Sequence, residues 1–537
     1  MHGSADFALG VDFGCEIRGR LVSDPMRLGA VRVVVAASLC AVLAGCSLPN
    51  PFDSSTAATS TTPLPVPTGQ ETLARFYGQQ LAWSECGEAE CAALLVPLDY
   101  AKPDGSTLSL SVLKMAARGG GSRIGSLVVN PGGPGGSGVE YAKYAPYIVD
   151  TAVYRRFDVV GFDPRGVGSS EPIDCLTDTE LDAFLGQDPT PDDRAEAEEA
   201  ARIATDFGAK CVQRSGERLG HVSTIEAAKD MDILRAALGD EHLFYLGKSY
   251  GTYLGATYAG LFPTRVGRMV LDGVLAPDLS AEEISIGQAV GFDTATKAWA
   301  ADCVAEGDCP LGASVDAVMT AMGELFTRLD ATPAPVTGDP RVTALTEGWA
   351  AYGVAGAMYD QGMWGSLTEA LRALISDNDG TELMGMANRY AERSGTGTYE
   401  GNLMEVIYAV NCLDTPDSPD LATYEERAKK AAAAAPLNGR FLAWSGVVCG
   451  NWPVKATHQP GTIAATGAPP IVVIGTTRDP ATPYEWAVRL VDQLDSGVLI
   501  TFDGDGHTAY TRSNDCVDKA VDTYYLTGKA PAADLRC

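Results

Sequence analysis

Gly247-Lys248-Ser249-Tyr250-Gly251 places a serine between two glycines, directly after the apolar run Leu243–Leu246 and before a helical pattern rich in small residues. A serine lifted on a strand-to-helix turn of this kind is a nucleophile, because the sharp turn raises its hydroxyl clear of the sheet and leaves no room for flanking side chains. A hydroxyl is a weak nucleophile and needs a base, and the base needs an acid to orient it. The chain has only five histidines. The order that accompanies such an elbow is serine, acid, histidine, which leaves His458 and His507. His458 sits in Ala456–Pro460, before the penultimate core strand, where a surface or packing role is expected. His507 follows the last apolar run in Phe502-Asp503-Gly504-Asp505-Gly506-His507-Thr508 and is the expected base. The acid should end the preceding strand. Ile474–Pro483 supplies Asp479 there, and Asp272, after Val270-Leu271, is the rival. Asp503 and Asp505 read as turn formers.

Acyl transfer also needs N–H donors aimed at the charge that develops on the carbonyl oxygen. Asn130-Pro131-Gly132-Gly133-Pro134-Gly135-Gly136-Ser137-Gly138 follows a strand, and its lack of side chains gives access to the amides. Gly132 or Gly133 is expected to supply one donor and Tyr250 the other. A phosphate cradle would end in Gly-Lys-Ser/Thr, and none follows this loop. No cofactor or metal is called for: there is no Cys-x-x-Cys, and no histidine stands at ligand spacing from a cysteine.

The elements that must carry these groups alternate along the chain. Leu108–Met115 alternates apolar and polar residues, as a half-exposed strand does. Ile124–Val129, Phe157–Phe162, Leu243–Leu246, Met269–Leu271, Ile471–Ile474 and Val498–Phe502 are short apolar runs ending in turns. Separated by helical patterns, they predict a mostly parallel α/β sheet with helices on both faces. Between the fifth and sixth of these core strands the chain reads as helical. Val315, Val318, Met319, Met322, Leu325, Phe326 and Leu329 repeat at three-four spacing, and Leu367, Leu371, Leu374 and Ile375 mark a second helix. The expected organisation is a catalytic domain over 71–275 and 456–537, interrupted by a helical lid over 276–455.

The N-terminus reads as an address. Arg27 and Arg32 precede a 12-residue apolar run, Val33–Ala44, too short to span a bilayer and suited to a signal peptide. It closes on Leu43-Ala44-Gly45-Cys46, which resembles a bacterial lipobox with Cys46 as the lipidated residue. Residues 1–45 are therefore expected to be removed, with Met26 as the true start. Residues 46–70, rich in Ser, Thr and Pro, are expected to tether the catalytic body to the outer face of the cell membrane. Ten cysteines then remain. An even number in an exported chain implies disulfides, and their sequence-adjacent grouping predicts Cys86–Cys91, Cys175–Cys211, Cys303–Cys309, Cys412–Cys449 and Cys516–Cys537. The formal charge of −29 would repel a polyanion, so nucleic acid is excluded as a partner.

Several motifs together resemble the actinobacterial tripeptidyl-aminopeptidase-like serine hydrolases of the α/β-hydrolase fold, relatives of the prolyl aminopeptidases and of mycobacterial lipoprotein proteases and carboxylesterases. They are NPGGPGGSG at Asn130–Gly138, FDPRGVGSS at Phe162–Ser170, GKSYGTYLGATYAGLFP at Gly247–Pro263, NCLD at Asn411–Asp414, TTRDPATP at Thr476–Pro483 and GDGHT at Gly504–Thr508. The resemblance covers roughly 70–537 and implies Ser249, Asp479 and His507 as the triad. It further suggests that Thr482 supports the site, the alternative being a helix cap. Asp163 and Arg165 read as a structural pair under the site. The resemblance points to Asp414 as the anion that holds a substrate's free N-terminal ammonium; the alternative is a turn cap, and Glu347 is a fallback. Pro131 stands where the prolyl aminopeptidases carry histidine. The implied activity is an extracellular serine peptidase releasing short peptides from N-termini of peptides or proteins. The alternative is a carboxylesterase or lipase using the same triad.

Overall fold

A computed structural model describes residues 66–119 and 121–537. The expected signal segment, Cys46 and most of the tether lie outside the described residues. Twelve strands are present among the described residues: β1 (Ser84–Cys86), β2 (Ala89–Pro97), β3 (Thr107–Met115), β4 (Gly125–Asn130), β5 (Phe157–Phe162), β6 (Leu243–Lys248), β7 (Val266–Asp272), β8 (Ala334–Pro335), β9 (Ala344–Leu345), β10 (Ile471–Arg478), β11 (Gly497–Asp505) and β12 (Leu535–Arg536). Ten of them form one sheet in the order β1-β2-β3-β5-β4-β6-β7-β10-β11-β12. From β5 through β12 every pairing is parallel, and β1–β2, β2–β3 and β3–β5 are antiparallel. β4 is buried at all six positions, because helices cover both faces of a parallel sheet; its continuous apolar run is the sequence trace of that burial. β3 lies toward the antiparallel margin and alternates instead. The chain is thus an α/β-hydrolase fold, as expected.

The predicted core strands are all present: β5 matches, β4 is shifted by one residue, and the other five run longer than expected, β7, β10 and β11 by four residues each. The β1–β2 hairpin was not anticipated: Ala89–Pro97 is too rich in alanine to alternate. Its turn is closed by Cys86–Cys91. All five neighbour disulfides are formed, with S–S distances of 1.95 to 2.11 Å.

The parallel strands run the same way, so β4, β6, β7, β10 and β11 end on one edge of the sheet. The loops leaving that edge carry Gly132–Gly138, Ser249, Gly273, Asp479 and His507. In such sheets the crevice outside the carboxyl ends is where ligands bind. Above it stands the helical insertion. It begins at Ser280, which caps helix Ala281–Glu306 reciprocally with Glu283, and includes helices Val315–Ala331, Glu347–Met358, Trp364–Ser376, Thr381–Tyr390, Leu403–Asp414 and Leu421–Ala434. The short β8–β9 pair lies within it, in a stretch read as wholly helical.

The cap is not a single excursion. The connection from β5 to β6 carries helices Asp178–Leu185, Arg194–Ser215 and Thr224–Ala237, and part of it joins the cap. Asp182 accepts hydrogen bonds from Arg341 (2.6 Å) and Arg393 (2.7 Å), and Phe184 and Phe207 pack against Tyr408. Cys175–Cys211 ties the start of that connection to its helix Arg194–Ser215, as Cys412–Cys449 pins the end of the later insertion.

Candidate active site

Ser249 is the one residue between β6 and helix Tyr250–Leu261. It has φ 56° and ψ −127°, a conformation that side-chain-bearing residues rarely adopt, and it is half-buried. Its N–H donates to the carbonyl of Asp272 (3.0 Å), and its own carbonyl accepts from the N–H (2.8 Å) and hydroxyl (2.6 Å) of Thr252. The flanking glycines are required by close approach. A Cβ on Gly247 would lie 2.3 Å from the Gly251 carbonyl oxygen, and one on Gly251 would lie 2.7 Å from Asn130 Oδ1.

The glycine loop after β4 lies against this elbow. A Cβ on Gly132 (φ 107°) would sit 2.7 Å from the Ser249 Cβ and 3.2 Å from the Tyr250 nitrogen. The Gly132 N–H, however, donates to Asn130 Oδ1 (3.0 Å). Of the two candidate donors in this loop, that leaves Gly133. Asp163 holds the far end of the loop: it accepts from the Ser137 hydroxyl (2.6 Å) and from the Val139 N–H (3.1 Å). The expected Asp163–Arg165 pair does not form. Arg165 instead makes a bidentate bond to Asp230, at 2.7 Å to each oxygen, in the buried layer beneath β2. Two residues of one turn point to opposite sides, and Arg165 takes the acid offered by helix Thr224–Ala237.

Asp479 follows β10 and His507 follows β11. The imidazole Nδ1 lies 2.9 and 3.0 Å from the two Asp479 oxygens, so Nδ1 donates to the carboxylate and Nε2 keeps the lone pair. Asp479 also accepts from the N–H groups of Ala481 (3.0 Å) and Thr482 (2.9 Å), which fix it while it holds the ring. Nε2 is buried and makes no hydrogen bond; the Ser249 hydroxyl is not bonded to it in this arrangement. Such contacts tighten when substrate binds. The ring is nonetheless beside the elbow. Gly273, next to the residue that receives the Ser249 N–H, would bring a Cβ within 3.2 Å of His507 Cε1.

Thr482 Oγ1 is 3.4 Å from His507 Nδ1. It does not cap the following helix, whose N-cap is Pro483. The rival acid, Asp272, reaches the same loop differently. It is fully buried and accepts from the Ala509 N–H (2.9 Å) and Tyr510 N–H (3.0 Å), beyond the histidine. Burial pushes its carboxyl up, while Lys248 and those amides pull it down. The cap touches the loop as well: the His507 N–H donates to the Tyr359 carbonyl (2.9 Å), and the Tyr359 ring stands edge-on to the imidazole at 5.0 Å.

Asp414 ends helix Leu403–Asp414 and is 1% exposed. It accepts from the N–H (3.0 Å) and hydroxyl of Thr224, whose hydroxyl also meets that of Tyr250. The turn cap with Thr415 and Pro416 is not what it makes; it closes the N-terminus of another helix, 190 residues away in sequence. Among the described residues no cation pairs with it, and burial pushes its carboxyl up to about 7. Glu347 is different: it pairs with Arg440 (2.8 Å) and Thr190 (2.6 Å), so its charge is already answered inside the cap. Glu347, Asp188 and Asp330 bring carboxylate oxygens within 4.8 Å of one another, on the side of the cap where Arg440 lies. His458 stands outside the triad; its N–H donates to the Leu413 carbonyl (3.3 Å).

The chain has relatives among known proteins. Residues 435–537 match an α/β-hydrolase family described as TAP-like protein. Over 481 residues the chain is 38% identical to the serine protease Hip1 of Mycobacterium tuberculosis, covering 86% of this chain and 91% of that one. It is 40% identical over 486 residues to carboxylesterase B of the same species, covering 87% and 92%. It is 33% identical over 479 residues to the tripeptidyl aminopeptidase of Streptomyces lividans, covering 86% and 88%.

Proposed function

The chain belongs to the TAP-like serine hydrolases, and from that premise we propose that it is an exported serine peptidase acting on the N-termini of peptides or proteins. The observation that supports the chemistry is the His507–Asp479 pair, with a free, buried Nε2 beside a Gly-x-Ser-x-Gly elbow. Ser249 attacks the scissile carbonyl, and His507 takes the hydroxyl proton through Nε2 and returns it to the leaving amine. Asp479 holds the imidazole and stabilises its cationic form. The N–H groups of Gly133 and Tyr250 receive the oxyanion, and Gly132 lets the loop approach closely enough for them to do so. Thr482 steadies the ring from the Nδ1 side. A carboxylesterase would use the same groups, with an alcohol leaving in place of the amine, and one relative is named for that activity, so the substrate end has to separate the two.

Asp414 supports the aminopeptidase reading. An unpaired buried carboxylate is costly unless a cation arrives, and this one lies one hydroxyl away from Tyr250, the neighbour of the nucleophile. Peptides with a free N-terminus should therefore be cleaved at least ~10-fold faster than N-acetylated ones, the scale of a charge-assisted hydrogen bond. Asp414→Asn should narrow that gap. The preference should also fade as pH falls through about 7, because the carboxyl then takes up a proton and no longer attracts an ammonium. Initial rates on paired free and blocked tripeptide amides, with an acyl ester as third substrate, measure all three effects. Equal rates on free and blocked peptides would discard the aminopeptidase reading, and a faster ester would favour the esterase.

No helix among the described residues is long and apolar enough to cross a membrane. The motif Leu43-Ala44-Gly45-Cys46 supports attachment through lipid at Cys46, with the catalytic body on the outer side of the cell membrane. Cys46→Ser should release the enzyme from the membrane fraction or block its maturation, as read by fractionation and blotting. A mutant still processed and membrane-bound would refute the anchor.

A further inference from the structure

The loop that carries His507 is gripped from below by a buried charged pair at the ends of β6 and β7. Lys248 and Asp272 are register partners on those strands. Their side chains are 8% and 0% exposed, and Lys248 Nζ lies 3.8 Å from Asp272 Oδ2. Both side chains are spent on the same stretch of backbone. Lys248 Nζ donates to the Tyr510 carbonyl (2.9 Å), while Asp272 accepts the Ala509 and Tyr510 N–H groups (2.9 and 3.0 Å). The two residues bracket the nucleophile: Lys248 precedes Ser249, and the Asp272 carbonyl receives the Ser249 N–H. One buried pair therefore ties the nucleophile's strand to the base's loop, two and three residues beyond the imidazole.

We propose that Lys248 and Asp272 are positioning residues that set the imidazole against Ser249, and that the grip requires the ammonium form of Lys248. A neutral amine retains donors but loses its attraction for the carboxylate, leaving Asp272 as a buried charge answered by two amides alone. This inference rests on the serine-hydrolase reading above. The groups facing the ammonium are Asp272, Arg512 and Asp518, and those around Asp272 also include His507, Tyr141 and Tyr525. Burial is the largest influence on Lys248, with Arg512 pressing in the same direction and Asp272 and Asp518 opposing; its ammonium is brought down to about 8. The sign follows. The charged form dominates below about 8, so activity is present there and is lost as pH rises through that value.

The test is the pH dependence of kcat and kcat/KM from about pH 6 to about pH 10 on one small substrate. Wild type should lose activity above about 8. Lys248→Arg keeps its charge and should lack that limb. Lys248→Met should show kcat reduced by ~10–100-fold at every pH, the usual effect of misplacing a reacting group by about an ångström. Asp272→Asn removes the carboxylate that the ammonium attracts, so its limb should disappear as well. That comparison still decides the matter if the lysine variants do not fold. A flat wild-type profile, an unchanged limb in Lys248→Arg or Asp272→Asn, or wild-type kcat in a folded Lys248→Met would each overturn the proposal. Fluorophosphonate labelling of Ser249 in the same samples separates the two layers: labelled enzyme with a flat profile sinks only the grip, whereas wild type unlabelled at Ser249 sinks the triad beneath it.

Discussion

Ser249→Ala will remove turnover while leaving the fold as it is. In the proposed mechanism the hydroxyl forms the covalent bond to the acyl group, and no other residue is assigned that role. Loss of a triad nucleophile costs ~10⁴–10⁶ in kcat. The substitution keeps the Cβ, so the strained elbow, the Ser249 N–H bond to Asp272 and the two Thr252 bonds all persist. The melting temperature should stay near wild type, and fluorophosphonate labelling should vanish. Rates on the best peptide substrate, with a thermal melt of the same sample, measure both halves. Residual activity above ~1% in a folded protein would mean that the elbow serine is not the nucleophile.

The second largest effect belongs to Asp479→Asn, at ~10⁴ in kcat/KM, or ~5.4 kcal/mol of transition-state stabilisation. The carboxylate accepts from Nδ1 with both oxygens in reach. An amide can turn its NH₂ toward Nδ1, which leaves the proton on Nε2 and no lone pair for the serine. It also cannot balance the imidazolium formed in the transition state. Asp272→Asn should be far milder, because Asp272 binds backbone beyond the histidine rather than the ring. Both variants assayed at neutral pH on one substrate decide the ranking. A larger loss at Asp272 would transfer the role of acid to β7.

The contrast between these two aspartates shows where the sequence was legible. Asp479 is selected by order along the chain and position at a strand end, and His507 by the scarcity of histidine; the structure sets these two side chains against each other. Asp272 was visible as a carboxylate at a strand end, but its partners are the N–H groups of Ala509 and Tyr510, and every residue type has those. Arg165 was misassigned for a similar reason: its partner Asp230 lies 65 residues away inside helix Thr224–Ala237. Asp414 reaches Thr224 across 190 residues. The share of the cap contributed by the β5–β6 connection was also missed. Asp182 and Phe184 look like an ordinary amphipathic helix until Arg393 and Tyr408, more than 200 residues on, arrive beside them. Local spacing reveals elements and the motifs at their ends; it carries no information on which distant element supplies the opposing charge.

The cap's hold on the base has a consequence for exchanging caps between relatives to change what they cleave. The Tyr359 carbonyl takes the His507 N–H, and Asp360 holds Arg512 (2.7 Å), which itself donates to the His507 carbonyl (3.2 Å). A chimera cut at the two obvious seams near 276 and 455 would import foreign residues at 359 and 360 against a native histidine loop. The graft would then alter selectivity and chemistry together, and a dead chimera would say nothing about the specificity of the transplanted cap. The compatible unit of exchange is the cap with residues 507–512.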